Sequence, residues 1–430
     1  MTEDANMLQG YRVLDLSQFV AGPTCARILG ELGAEVIKVE MAPGGDRGRA
    51  SGMRPIAEGL RKSTASTYYF QHNHSKKSLA LDLKSHAGKK ILLDLVKVSD
   101  ILVENFSPGV MARMGLAWSD LKQVNPRLVM CSISLAGQEG ELSDRPGFDY
   151  MGAAYAGVTA SLGEPDRAPG QLPIAIGDSA TGISAAMAIG FALLHRDRTG
   201  RGQHVESTLL DTYFQMHEVN IPKISLKGPS ALPERAGSMH PDGGPTGVFR
   251  TPGDTAISIM VMPYQWPQFV AATGNADLAT DPRFSTPRAR RDNKRELADI
   301  VETWLEGFAS REAALEHLGN YRVPSAPILT LPETMSHPHH IARGTVRKVH
   351  DRHIGEFQIP GMPARFSDWP QRSDLSAALL GEHNEEILHQ ILGRGADEIE
   401  EMYRNGVLVR DPLIASLEQP EIETEEENAH

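Results

Sequence analysis

Cysteine is nearly absent from this chain, which has two, Cys25 and Cys131, among 430 residues. Neither belongs to a CxxC motif, and two widely separated thiols exclude a disulfide framework. We therefore predict buried, reduced thiols in a cytoplasmic protein. The opening MTEDANML supports this location, because it has two acidic residues and no basic region typical of an export or organelle signal.

Long apolar runs and an excess of basic residues are also missing. The longest nearly apolar stretch, residues 183–194, has 12 residues, whereas about 20 are needed to cross a bilayer. The chain has 43 Lys and Arg against 55 Asp and Glu, a net charge of −12. Half of this charge comes from six glutamates in residues 417–430, which we predict to be a disordered acidic tail. An acidic body argues against nucleic acid or a membrane as a partner.

Several motifs with a known chemistry do not occur. The chain has no GxxxxGK[ST], GxSxG or HExxH. His383 and His389 are six residues apart, which does not bring both onto one metal, and the His cluster at 337–340 is interrupted by proline and has no carboxylate partner. The segment 44–49, GGDRGR, lacks the spacing of the dinucleotide fingerprint. We predict no metal site and no permanently bound cofactor.

What the chain does contain is an alternation of short β-branched runs and longer helical stretches. The predicted strands are 11–17, 34–40, 78–83, 101–105 and 128–134. Helical patterns between them, such as the stretch from Pro23 to Gly33, predict an α/β fold with a parallel sheet. No internal repeat is visible.

A second, smaller unit begins after residue 205, where the rhythm changes. Residues 225–247 are rich in Gly, Pro and Ser, which is typical of a crossing segment. The second unit has a predicted strand at 256–262 and an amphipathic helix within 290–308. A Pro-rich stretch after Val323 indicates that the chain leaves this unit again.

Asp178 is the candidate for chemistry in the segment 172–203. It lies between Gly177 and Gly182, at the start of a helix rich in small residues. Its carboxylate is predicted to face the free N–H groups of that helix and to stay ionised. One interpretation is an N-cap, the common role of Asp at a helix start. The other is a nucleophile, which an ionised and partly desolvated carboxylate can be.

The order of several blocks resembles the class III CoA-transferase family, which also contains acyl-CoA racemases. The blocks are VLDLSQFVAGPTCARILGELGAEVIKVE, NHSKKSLALDLK, VENFSPGVMARMGL, and GDSATG followed by HRDRTGRGQHVE. The likeness continues through residues 281–293 and 379–383. It implies a Rossmann-like large domain formed by residues 1–205 and completed by 331–416. It further implies a crossing segment at 206–225, a small α/β domain at 226–330, and an interlocked homodimer with active sites between subunits.

The resemblance also assigns roles to residues. It implies that Asp178 attacks the acyl-CoA thioester, with CoA and acyl-CoA as substrates. The positions that match CoA-binding residues are Ala21, Leu81, Lys84, Asn105, Phe106 and Arg113. These residue types suit CoA, because Lys and Arg can hold phosphates, Asn can pair with an amide, and Leu and Phe offer apolar walls. From spacing alone, Lys84 and Arg113 could be solvated helix charges, Asn105 a turn residue and Phe106 a core residue.

Departures from the family pattern concern the substrate. Val20 stands where the formyl-CoA:oxalate branch has Gln, and DGGPTG at 242–247 stands where that branch has a glycine run ending in Gln, so oxalate is not the expected acid. The position after the second strand is Met41, where relatives often have a basic residue. A Gly-rich loop carries Arg47, Arg49 and Arg54, which could meet a carboxylate or be solvated. The predicted substrate pocket comprises Val20, Phe148, Asp149, Gly243 and Gly244.

The predicted activity is transfer of CoA from an acyl-CoA to a free, short dicarboxylic acid through an aspartyl-CoA intermediate. One alternative is a 2-methylacyl-CoA racemase, in which the motif matching residues 146–152 carries a His that exchanges the α-proton. Here that position is Phe148, which cannot transfer a proton. The other alternative is a non-catalytic acyl-CoA-binding homologue, which has no need of Asp178.

Overall fold

The computed structural model describes residues 6–54, 63–232, 234–241, 243–369, 372 and 374–417. They form two compact units. The first consists of the chain up to Ala156, Ile174–Gln215, and the chain from Pro338 onward. The second consists of Gly157–Pro173 and Met216–His337. The predicted domain boundaries remain a prediction, and the predicted acidic tail lies outside the described residues from 418 onward.

The first unit is built on a six-stranded parallel sheet with the order β3-β2-β1-β4-β5-β6. This is the strand order of the doubly wound dinucleotide-binding sheet. It confirms the predicted α/β class and the parallel sheet. The described strands are β1 Arg12–Asp15, β2 Glu35–Met41, β3 Lys77–Leu81, β4 Ile101–Glu104, β5 Val129–Ser134, β6 Gln203–Thr208, β7 Thr246–Thr251, β8 Thr255–Met260, β9 Ser325–Pro327, β10 Val346–Asp351 and β11 Gly355–Pro360.

The sixth strand was missed by the sequence patterns. β6 pairs in parallel with β5, from Val129 opposite Gln203 to Ser134 opposite Thr208. Val205 is the one aliphatic residue of β6. The strand lies at the edge of the sheet, and four of its six residues are not buried. An edge strand with so little apolar character does not produce the continuous run typical of buried parallel strands.

Helices cover both faces of this sheet. The described helices of both units are α1 Ala21–Glu31, α2 Thr67–Asn73, α3 His86–Lys97, α4 Val110–Arg113, α5 Trp118–Val124, α6 Asp149–Tyr155, α7 Ile176–Thr199, α8 Leu209–Gln215, α9 Asn220–Lys227, α10 Trp266–Thr273, α11 Pro287–Asp292, α12 Lys294–Leu305, α13 Arg311–Asn320, α14 Leu331–Ser336, α15 Pro338–Arg343, α16 Asn384–Glu386, α17 Ala396–Arg404 and α18 Pro412–Leu417. α9 to α14 belong to the second unit. α1 and α7 share one buried cluster with the sheet, and α3, α5 and α17 share another. Both cysteines are buried in the first cluster, as predicted.

Close contact between α1 and α7 requires a glycine. A Cβ on Gly182 would lie 2.5 Å from the carbonyl oxygen of Ala21 and 2.9 Å from Cβ of Thr24. One face of α7 is therefore pressed against α1 and the sheet. Its opposite face exposes four large apolar side chains, which are Ile183, Met187, Phe191 and Leu194.

α7 is also the helix that meets a membrane-span criterion. Among the described residues, it is the one helix long and apolar enough to cross a bilayer by length and composition. A core helix with a buried face passes the same test, and α7 buries Ala185, Ile189 and Leu193.

The C-terminal segment returns to the first unit and covers β3. Both terminal nitrogens of the Arg49 guanidinium donate to the carbonyl of Ala378, each at 3.1 Å. The Ala80 N–H donates to Oδ1 of Asn384 at 2.9 Å. Single bridges pair Lys76 with Ala377 and Leu81 with Leu408. The first unit is thus closed by residues that follow the second unit in the chain.

The second unit has its own core and an antiparallel sheet in the order β7-β8-β9. The predicted amphipathic helix is α12, whose buried side chains include Leu297, Val301 and Leu305. They pack with aromatic residues of β7 and α10, namely Phe249, Trp266 and Phe269.

Candidate active site

The predicted site residues of the first unit gather at the carboxyl ends of its strands. The strand order reverses between β1 and β4, and in open α/β sheets ligands bind in the crevice at such a point. Asn105 lies there, directly after β4. Its Oδ1 accepts from the N–H of Gln18 and its Nδ2 donates to the Gln18 carbonyl, both at 2.8 Å. This pair joins the loops after β1 and β4 and leaves one donor and one acceptor of the amide for a ligand.

Buried charged side chains fix the conformation of the loop after β1. Nζ of Lys38 donates to the Ser17 carbonyl at 2.6 Å and pairs with Asp46 at 3.1 Å. Oδ1 of Asp46 accepts from the N–H of Phe19 at 3.1 Å. Phe19 has a φ of +67°, which is strained for a bulky residue and persists only where the surroundings enforce it. The buried carboxylate and ammonium groups supply that constraint.

The other positions predicted to contact CoA differ in exposure. Ala21, the first residue of α1, is 4% exposed and belongs to the core, and Phe106 lies half-buried beside the core. Lys84 and Arg113 are exposed, so both cations can reach a ligand from the surface. Leu81 is 0% exposed at the end of β3. Its side chain belongs to the core and does not offer the predicted apolar wall.

Asp178 lies inside the first turn of α7. One interpretation of the sequence made it the N-cap of this helix, and that interpretation is wrong. The helix begins at Ile176 after Ala175, so Asp178 is its third residue. The carboxylate of Asp149, which is 5% exposed, takes over the capping of this turn. Oδ1 of Asp149 accepts from the Asp178 N–H at 2.8 Å.

Tyr213 of α8 completes this arrangement. Its hydroxyl donates to Oδ2 of Asp149 at 2.9 Å and accepts from the N–H of Gly177 at 3.0 Å. Two of the free N–H groups at the helix start are thereby satisfied, one directly and one through the phenol. A Cβ on Gly177 would collide with the Tyr213 ring and with Oδ1 of Asp149. The turn that presents Asp178 is therefore fixed by three other residues.

The carboxyl group of Asp178 does not keep its ordinary acidity. Burial, and secondarily the charge of Asp149, raise the pKa of Asp178 from 3.8 to about 7. The prediction of a fully ionised group at neutral pH is thus wrong for the free protein. Burial also raises the pKa of Tyr68 to about 12, and the charges of Asp178 and Asp46 add to this effect. Tyr68 therefore stays protonated near Asp178 and can act as a hydrogen-bond donor.

An aromatic pair stands beside this turn. Phe148, which directly precedes Asp149, is 61% exposed and does not belong to the core. Its ring meets that of Phe19 edge to face, with 5.9 Å between centroids. Val20, by contrast, is buried. The exposed part of the predicted substrate pocket in the first unit is therefore apolar and aromatic.

The three arginines of the Gly-rich loop have different environments. Arg49 is buried and forms two hydrogen bonds with the carboxylate of Glu40, at 2.7 and 2.6 Å. Its guanidinium also lies 3.5 Å from the ring centroid of Tyr69. Arg49 is therefore not available to a substrate and is not solvated, so both interpretations of it are wrong. Arg47 and Arg54 are exposed.

The predicted glycines of the substrate pocket lie in the second unit. Gly243 has a φ of +95° and lies against the backbone of Arg291, which explains why glycine is required. Gly244 and Thr246 line a cavity of about 350 Å³ in this unit. Asp242, the first residue of the predicted loop, lies outside the described residues.

A profile of CoA-transferase family III matches residues 8–384 of this sequence. The chain belongs to this family. Succinyl-CoA–D-citramalate CoA-transferase of Chloroflexus aurantiacus is 34% identical over 91% of this chain and 96% of its own length. Formyl-CoA:oxalate CoA-transferase of Streptomyces coelicolor is 33% identical, over 94% of this chain and 100% of its own. Succinate–glutarate CoA-transferase of Agrobacterium fabrum is 32% identical, over 89% and 95%.

Solved structures agree with these relatives. A CAIB/BAIF family protein from Brucella suis superposes with a TM-score of 0.77 at 31% identity, covering 90% of this chain and 100% of that one. A hypothetical protein from Mycobacterium tuberculosis has a TM-score of 0.75 at 31% identity, covering 89% and 99%. This family III protein is therefore an enzyme that transfers CoA, as the sequence predicted.

Sequence reasoning missed Tyr213 in this CoA-transferase. The residue falls in the segment 206–225, which was interpreted as a crossing segment and not as part of the site. It lies 36 residues from Gly177 in the chain, and no short motif joins them. The fold alone brings α8 against the start of α7.

Proposed function

We propose that this enzyme moves CoA from an acyl-CoA thioester to a free carboxylic acid through a covalent intermediate on Asp178. The observation that carries the proposal is the fixed first turn of α7, in which Asp149 and Tyr213 bind the Gly177 and Asp178 backbone and leave the Asp178 carboxylate unpaired among the described residues. A carboxylate held in this way can attack without rearranging.

In the proposed mechanism Asp178 is the only protein group that forms covalent bonds with the substrates. Its carboxylate attacks the thioester carbonyl, the C–S bond breaks, and a mixed anhydride and CoA thiolate result. The thiolate attacks the Asp178 carbonyl, which releases the donor acid and leaves an aspartyl-CoA thioester. The acceptor carboxylate then attacks this thioester, and thiolate return to the new anhydride gives the new acyl-CoA and free Asp178. Both intermediates hydrolyse readily, so the reaction needs water to be excluded.

CoA is the substrate that the edge of the sheet is proposed to hold, and no permanently bound cofactor is proposed. Exposed Lys84 and Arg113 are the proposed phosphate contacts, because charge-assisted hydrogen bonds to phosphate are strong. Asn105 retains donor and acceptor capacity for a pantetheine amide, and Ala21, through its backbone, and half-buried Phe106 are the proposed neighbours of that ligand. Leu81 would support this crevice from the core.

The proposed acceptor is a short dicarboxylic acid. Relatives at 32–34% identity are named for succinate, citramalate, glutarate and oxalate. Val20 and the short glycine segment around Gly243 and Gly244 argue against oxalate itself, since both differ from the oxalate branch. The exposed aromatic surface of Phe148 favours an acid with a hydrocarbon chain over one without.

The assembly is proposed to be a cytoplasmic homodimer. The exposed apolar side chains of α7, including Met187 and Phe191, support this, because a contiguous apolar surface on a protein usually marks an interface. In the interlocked arrangement of the family, the large domain of one subunit and the small domain of the other form each site. No nucleic acid or membrane is a proposed partner.

The proposal is tested by incubating the pure enzyme with a panel of acyl-CoA esters and mapping any hydroxylamine-sensitive adduct by mass spectrometry. We expect the adduct on Asp178, and we expect Asp178→Asn to lose transfer while it still binds CoA. A variant with a few per cent of wild-type turnover would contradict the assignment. Uptake of α-deuterium by a chiral 2-methylacyl-CoA in D₂O, without transfer to any added acid, would instead identify a racemase.

A further inference from the structure

The second unit contains a cavity lined in part by a buried arginine, Arg290. The cavity has a volume of about 350 Å³ and is lined by Asn220, His240, Thr246, Val261 and Arg290, together with the predicted Gly243 and Gly244. This volume lies at the lower end of the range for ligand pockets, about 300–1,000 Å³. The cavity is therefore suited to a small molecule and not to a whole acyl-CoA.

Arg290 lines this cavity and is 4% exposed. One guanidinium nitrogen, Nη1, donates to the Phe284 carbonyl at 2.7 Å. The guanidinium also lies 4.3 Å from the ring centroid of Trp266. These contacts fix the plane of the group but satisfy one N–H. Among the described residues no carboxylate lies within ion-pair distance of Arg290.

A buried guanidinium without a counter-ion is costly for the fold. Other buried arginines of this chain have their partner, as Arg49 has Glu40 and Arg347 has Glu31. Burial alone lowers the pKa of Arg290, with no opposing contribution from a nearby acid. Within the described residues Arg290 thus has no ion-pair partner, although Glu218 also lines the cavity that it faces.

We propose that Arg290 binds a carboxylate in this cavity, namely the non-reacting carboxylate of the dicarboxylic acceptor. A planar guanidinium held against an indole can accept a carboxylate with two parallel hydrogen bonds. The apolar wall of Val261 and Met262 suits the short hydrocarbon chain between the two acid groups. This inference rests on the proposed function and adds the residue that selects dicarboxylic over monocarboxylic acids.

The test compares glutarate with valerate, two acids of the same chain length that differ in the second carboxylate. For Arg290→Gln, we expect the KM for glutarate to rise roughly 10–100-fold, the loss typical of a hydrogen-bonded charged group. The KM for valerate and for the acyl-CoA donor should stay within twofold. Arg288→Gln is the matched control, since Arg288 is on the same helix with its side chain 84% exposed, and it should leave all constants unchanged.

A second pair of variants avoids a buried substitution. Met260 lines the cavity from β8 and is 51% exposed, so Met260→Glu places a competing carboxylate there and Met260→Gln a neutral side chain of similar size. We expect the first to raise the KM for glutarate selectively and by far more than the second, because only the first adds a negative charge. Equal effects on both acids, or none in either series, would overturn the proposal.

Calorimetric titration of the full-length protein separates this inference from the proposed function. Wild type is expected to bind glutarate, and Arg290→Gln is expected to lose that binding, whereas Arg288→Gln is expected to keep it. If no acid accepts CoA but glutarate still binds through Arg290, the proposed transfer to these acids fails and the anion site stands. If transfer occurs and glutarate binding is insensitive to Arg290, the site fails and the transferase stands.

Discussion

Asp178 has to be ionised to act as a nucleophile, yet its surroundings favour the protonated form. Burial supplies the larger part of that effect and the negative charge of Asp149 the smaller. The same environment makes the ionised group more reactive, because a desolvated carboxylate is a better nucleophile and its charge is dispersed when it attacks. The surroundings of Asp178 thus make its ionised form more reactive and also lower the fraction of the free enzyme in which it is ionised.

The pH dependence of the reaction should reflect this arrangement. We expect kcat/KM to rise with pH up to a break near the pKa of about 7 and then to level off, because only ionised Asp178 attacks. Asp149→Asn removes the neighbouring charge and should move the break to lower pH, while burial keeps it above 3.8. A profile that is flat between about pH 5.5 and 9, or the same break in both proteins, would contradict this assignment.

The stability of Asp178→Asn should depend on pH in the opposite sense to that of a salt-bridged acid. The folded pKa lies above the ordinary value of 3.8, so the folded protein keeps a proton that the unfolded chain has released. The contribution of Asp178 to wild-type stability therefore falls as pH rises from about 4 to about 7, and the neutral amide of the variant does not suffer this loss.

We expect Asp178→Asn to match wild type near pH 4 and to exceed it above pH 7, by up to about 4 kcal/mol for a shift of roughly three pH units. Denaturant titration at the two pH values measures the difference. Asp149→Asn is expected to lower stability, because the buried carboxylate that it replaces accepts two hydrogen bonds. An equal gain at both pH values would show that the effect is not electrostatic.

At the scale of elements, the sequence indicated the central sheet well and the site only in part. Five strands were predictable because they are buried on both faces and consist of apolar runs, whereas β6 at the edge was not. Asp178 could be singled out from its glycine neighbours, but its position inside α7 could not, because its cap comes from Asp149 and not from the helix's own sequence. Arg49 was misjudged because its Gly-rich segment is typical of a loop, and the carboxylate that buries it lies on β2.

The close contact between α1 and α7 predicts that a larger side chain at Gly182 destabilises the first unit. We expect Gly182→Val to destabilise the first unit by about 1–3 kcal/mol, because its side chain would displace α7 from the Ala21 carbonyl. The displacement should also reduce kcat, since α7 carries Asp178. Thermal and denaturant unfolding together with steady-state kinetics measure both effects.

A solvent-open glycine on another helix is the control for that change. Gly319 of α13 has no described heavy atom within 4 Å of an added Cβ. Gly319→Ala should leave activity unchanged and preserve or slightly raise stability, by up to about 1 kcal/mol. Loss of stability in Gly319→Ala and not in Gly182→Val would mean that the helix contact has been misidentified.

At the scale of the whole molecule, the exposed face of α7 makes the proposed dimer testable. Phe191 is 64% exposed, and a charge placed there would be buried in the dimer but harmless in a monomer. We expect Phe191→Glu to give the mass of a monomer by light scattering and to lose transfer activity. Val98→Glu, at an exposed apolar residue near the end of α3, should remain dimeric. A monomeric wild type with full activity would exclude the proposed assembly.

The covering of β3 by the C-terminal segment also determines the order in which the molecule can form during synthesis. The second unit is complete once His337 has left the ribosome, whereas the first still lacks the partners that Ala378, Asn384 and Leu408 supply. At about 5–20 residues per second, the following stretch of roughly 80 residues takes about 4–16 s to synthesise. During that interval the edge of β3 is an open template for other chains. During that time the second unit has all of its residues and the first does not. A chaperone, or rapid synthesis of the remaining residues, would then keep β3 from pairing with another chain.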